Sequence, residues 1–110
     1  MLTENIVGKL QLETLSGTLP ETYEGVYAGD LLSRAMSHLT ADQLWITIMP
    51  NVNVVAVASL CEAAAVILAE GVRPMDDALH AAEEKGICLT VSPFSVYEIC
   101  AILAEEERSV

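Results

Sequence analysis

A chain of 110 residues has the size of one domain, and no block of different composition divides it, so residues 1–110 are expected to share a single core. Its formal net charge of −11, from 16 acidic residues against Lys9, Arg34, Arg73, Lys85 and Arg108, opposes phosphate backbones and anionic lipid surfaces, which argues against nucleic acid and membrane partners. Hydrophobic residues make up 53% and aromatics 5%, so the interior must be aliphatic, and this much of it in a short chain predicts burial against a second copy, as a homodimer or larger assembly.

In chain order, Thr3 is placed to cap a short helix carrying Ile6, Val7 and Leu10 on one side. Residues 16–20, with Gly17 inside, read as a loop. Tyr23 to Ala28 favours a strand stopped by Gly29, and Asp30 is a suitable cap for a helix whose stripe is Leu31, Leu32, Ala35, Met36 and Leu39. Leu44 to Met49 alternates Leu44, Ile46 and Ile48 with Trp45, Thr47 and Met49, the period of a strand with two useful faces, and Pro50 and Asn51 end it.

Asn53 can cap a helix from Val54 to about Cys61 that is apolar on all sides, which predicts a place in the core or under an interface. Ala64 to Ala69 reads as a strand covered on both faces. The apolar run from Val52 to Ala69 is broken by Asn53, Ser59 and Glu62, so it is not read as a membrane span. A helix follows from Pro74, with Asp76 and Asp77 at its positive end and Gly86 as its stop. Cys88 to Val91 is a short strand, and Ser92-Pro93 signals a last helix with Val96, Tyr97, Cys100, Leu103 and Ala104 facing inward. One helix followed by four strand–helix repeats predicts an α/β fold, a three-layer α/β/α sandwich on a small, mostly parallel sheet.

In such sheets ligands bind outside the carboxyl ends of the strands. Asp30, Ser33, Thr47, Asn51, Asn53 and Ser92 gather there and are the ligand-binding candidates, although Asp, Asn and Ser at helix starts also serve simply as caps. No GxxxxGK[ST] or GxGxxG string is present, so phosphoryl transfer would lack its usual parts. His38 lies about two turns from Asp30, too far for an acid/base pair, and His80, Cys61 and Cys88 share no metal-ligand spacing. Neither catalysis, metal nor cofactor is expected. Cys61, Cys88 and Cys100 are odd in number, without a CxxC pair or a secretory leader before them, which predicts free thiols and a cytoplasmic location. Trp45 and Tyr97 are expected to pack in the interior, with Trp45 also able to stack on a base.

The strings Gly29-Asp30-Leu31-Leu32-Ser33, Trp45-Ile46-Thr47-Ile48, Asn53 to Ala58, Gly86-Ile87 and Ser92 to Glu98 together resemble the DRTGG domain family across nearly the whole chain. Domains of that family resemble the N-terminal domain of bacterial HPr kinase/phosphorylase and occur between CBS domains in regulatory pyrophosphatases and in some phosphate acetyltransferases. The resemblance implies a compact α/β/α regulatory domain without catalysis of its own that helps form dimer interfaces, with protein partners in signalling or redox metabolism. The Asp-Arg-Thr-Gly-Gly string itself is absent. Two functions are therefore expected as alternatives: a homo-oligomeric regulatory or protein-interaction module, or a small-ligand sensor, for an adenine nucleotide, at the strand ends.

Overall fold

The computed structural model describes residues 1–109. Its elements are α1 (Glu4–Val7), β1 (Glu13–Ser16), β2 (Val26–Ala28), α2 (Leu32–His38), β3 (Leu44–Thr47), α3 (Val52–Cys61), β4 (Ala65–Leu68), α4 (Asp76–Lys85), β5 (Leu89–Val91) and α5 (Val96–Arg108). The sheet has the order β1-β5-β4-β3-β2; β2 to β5 run parallel and β1 closes one edge antiparallel to β5. The α/β/α expectation holds, with one strand more than the four read from the sequence.

The alternation in β3 and β4 divides the core in two. Trp45, Val66, Leu68, Leu89 and Val91 face α2, α3 and α4, packing on Ala35, Val54, Val55, Ala58, Ala78 and Ala82. Leu44, Ile46, Ala65 and Ile67 face the other way, onto Ile6, Leu10, Ile99 and Leu103 of the α1 and α5 layer. The parallel strands are laid down side by side in chain order, so crossovers of one hand must all pass over one face, and α2, α3 and α4 share it. The opposite face is left for α5 and the N-terminal segment.

Several local expectations are corrected. Thr3 stands at the N-cap of α1 as read, but its side chain makes no cap bond: it is buried and its hydroxyl donates to the carbonyls of Pro20 and, at 3.1 Å, Glu21, and the helix after it is a single turn. The loop read at residues 16–20 is preceded by the unanticipated β1, whose end Ser16 donates to Ile87 O at 3.0 Å. Gly17 there has φ +70°, and a Cβ would sit 2.8 Å from Ile87 O, so no other residue fits. The last helix starts three residues later than Ser92-Pro93 suggests. Ser95 and Glu98 form a reciprocal capping box, and the buried stripe runs through Ile99 and Leu103, whereas Tyr97 is 82% exposed and Ala104 is also outside.

Candidate functional site

The predicted cluster separates into three parts. The first is real: the carboxylate Oδ1 of Asp30 accepts from Thr47 Oγ1 at 2.7 Å and from Ile48 N at 3.1 Å, and Met49 N donates to Thr47 Oγ1 at 3.3 Å. Asp30 is thus not the cap of α2; that position is Leu31, which has no capping side chain. Its charge instead fastens the end of β2 to the end of β3, assisted by Trp45 Nε1, which donates to Gly29 O at 3.0 Å. Trp45 is fully buried, so it is a core residue with no face to offer a base.

The second part is a cap. Asn51 Oδ1 accepts from Asn53 N at 3.1 Å, so the cap of α3 is Asn51, and Asn53 is an exposed residue of its first turn. Ser33 is exposed on α2. The third part, Ser92, lies apart from the others: it is fully buried, donates to Leu10 O at 2.7 Å and accepts from Phe94 N at 3.3 Å. Gly71 N reaches Ser92 O at 2.9 Å and Glu70 N reaches Phe94 O at 2.8 Å, which knits the loops after β4 and β5 together.

Open parallel sheets make their clefts where the strand order reverses and consecutive loops diverge. Here the order of β2 to β5 never reverses. The place where the chain passes from one face to the other, after β5, is closed by the Ser92 hydrogen bonds. Between α3 and α4 there remains a crevice of about 10 Å³, lined by Asn51, Val54, Leu68 and Pro74 among others, room for about one water. Met75 N donates to Pro50 O at 2.9 Å and holds its two sides together.

Burial pushes the Cys88 thiol up to about 11 and raises Cys100 as well, so both are protonated near neutrality. Among the described residues no group of three or more His, Cys, Asp or Glu side chains is placed to hold a metal ion, and no helix is long and apolar enough to cross a membrane.

No family model and no curated protein matches this chain. A solved structure is similar to it. Over 91% of its length, with a TM-score of 0.71 and 13% identity, the chain resembles the CBS and DRTGG domains of the regulatory region of Clostridium perfringens pyrophosphatase, which was crystallised with its activator, diadenosine tetraphosphate. The matched part is 44% of that chain. The likeness is one of fold, and it supports a DRTGG-like fold for the present chain.

The helix read as apolar on all sides, in the core or under an interface, is α3, and it serves the core with only part of its surface. Its inner residues Val54, Val55, Val57 and Ala58 are buried, but Ala56 is exposed and Leu60 is 69% exposed. Beside it on α2, Met36 is 51% exposed, with its carbonyl 3.8 Å from Cys61 Sγ. The signal was present as the all-round apolar pattern, which fitted a core helix equally well.

Proposed function

We propose that this chain is a DRTGG-like, non-catalytic regulatory module that acts by contact, self-associating through the outer face of α3 and the adjoining end of α2. The observation that carries this reading is Leu60. On a chain of net charge −11, a ten-residue helix with no charged side chain turns Ala56 and Leu60 outward, and such a surface is energetically best covered by another like it. A two-fold axis would bring two uncharged stripes together away from the acidic remainder of each surface. The regulatory character of the similar pyrophosphatase region, and the satisfied polar groups at the strand ends, support a role without chemistry. The resemblance to the HPr kinase/phosphorylase N-terminal domain, the cytoplasmic location and a protein partner in signalling or redox metabolism belong to the same reading. Sedimentation velocity at tens of micromolar tests it: a dimer or larger species is expected, and Leu60→Glu should return it to monomer. A wild-type monomer throughout that range sinks the proposal.

A second reading, a sensor of an adenine nucleotide at the strand ends, draws on the nucleotide bound by the similar regulatory region. It must accommodate a crevice with room for about one water, next to a helix whose first turn carries Asp76 and Asp77. A thermal shift with diadenosine tetraphosphate that Asn51→Ala abolishes would establish it in place of the first.

A further inference from the structure

Away from α3 and from the strand ends, the N-terminal segment forms a groove of about 450 Å³ with the chain entering β2, lined by Leu2, Thr3, Glu4, Val7, Leu19 and Glu21. Its walls are held in register by backbone bonds from Thr3 N to Glu21 O at 3.0 Å and from Tyr23 N to Met1 O at 2.9 Å, and by the buried Thr3 hydroxyl on the carbonyls of Pro20 and Glu21. The surface left open toward solvent is shared about evenly between aliphatic side chains, Leu2, Val7 and Leu19, and polar groups, among them the exposed residues Glu4 and Glu21.

Neither carboxylate has a cation partner among the described residues: the ion pairs are Lys9–Glu106 and Arg73–Glu13, which leaves Arg34, Lys85 and Arg108 without one. A preformed groove of ligand-site size, part aliphatic and edged by two carboxylates without a cation partner, suits an occupant that is apolar in body and cationic at its tips. A further copy of this acidic chain does not meet that description. We propose that the groove docks a short segment of a different protein, in which an arginine or lysine alternates with leucine-like side chains. This is a second surface, independent of the α3 contact, so one can fail without the other.

The test is an NMR titration of the full chain with a blocked pentapeptide of alternating leucine and arginine. Shifts confined to residues 1–8 and 18–23 are expected. The double variant Glu4→Gln with Glu21→Gln should weaken binding on the order of fivefold or more, since two exposed ion pairs are removed. Asp76→Asn with Asp77→Asn, an equal loss of charge on α4, should leave it unchanged. Leu2→Ser, which retains every charge, should also weaken it. Equal weakening by the two double variants, shifts spread over the acidic surface, or no saturable binding would each overturn the proposal.

Discussion

Helices α3 and α4 lie side by side on the same face of the sheet and have the same length of ten residues, yet they are built on different rules. Helix α4 has Ala78 and Ala82 inside and Asp76, Asp77, Glu83, Glu84 and Lys85 among its other positions, the ordinary division of a helix between core and water. Helix α3, packed between α2 and α4, buries a wider inner face, Val54, Val55, Val57 and Ala58, and has only Asn53 and Ser59 as polar residues and no charge at all. Its central place accounts for the wider buried face but not for Ala56 and Leu60, which lie outside it. The difference lies in what each outer face is adapted to meet.

The largest effect should be the one the two helices share. Ala58→Asp and Ala82→Asp each place an unpaired charge at a position with 0% exposure, and each should cost about 3–5 kcal/mol in denaturant unfolding. A mild effect at Ala58 alone would mean that α3 is not a core helix. At the C-termini the expected effects have opposite sign. Gly86 ends α4 at φ +67°, whereas Glu62 ends α3 at φ +58°, a conformation that suits glycine better. Gly86→Glu should cost, and Glu62→Gly should gain, about 1 kcal/mol. At the N-termini, Asn51→Ala should cost about 1 kcal/mol, while Met75→Ala, which removes no cap bond, should stay within about 0.5 kcal/mol. Smallest of all, Leu60→Glu should shift the unfolding free energy of the monomer by less than about 0.5 kcal/mol, measured at dilutions where no oligomer forms. A large loss there would assign Leu60 to the core of its own subunit.

The layering was legible because the patterns that predict it are physical: alternation in Leu44 to Met49 and an unbroken apolar run in Ala64 to Ala69, punctuated by Pro74 and Gly86, leave few other folds. β1 was not, because Glu13 and Thr14 are exposed and only Ser16 is buried, so no inward apolar period marks it. It exists because β5 offers it an edge. The candidate site was misjudged for a related reason. Asp30, Asn53 and Ser92 all stand where a cap is expected, but tertiary partners claimed Asp30 and Ser92, and Asn51 took the cap from Asn53. In the last helix the Ser95–Glu98 pair was visible in the sequence, and Ser92-Pro93, three residues earlier, gave a competing start signal. Tyr97 was misplaced for a separate reason: the inner stripe was drawn through Tyr97 and Ala104 and passed over Ile99.

The bonds that close the N-terminal segment onto the sheet have a temporal meaning. Ser16 meets Ile87, Leu10 meets Ser92 and Lys9 meets Glu106, separations of 71, 82 and 97 residues. During synthesis from the N-terminus, residues 1–3 can pair with residues 20–23 early, but Lys9, Leu10 and Ser16 wait for partners near the other end, while β2, β3 and β4 can assemble through short crossovers in between. Until β5 and α5 arrive, the Leu44, Ile46 and Ile67 face lacks the cover of Ile99 and Leu103. The order of manufacture and the order of assembly therefore run against each other in this small fold.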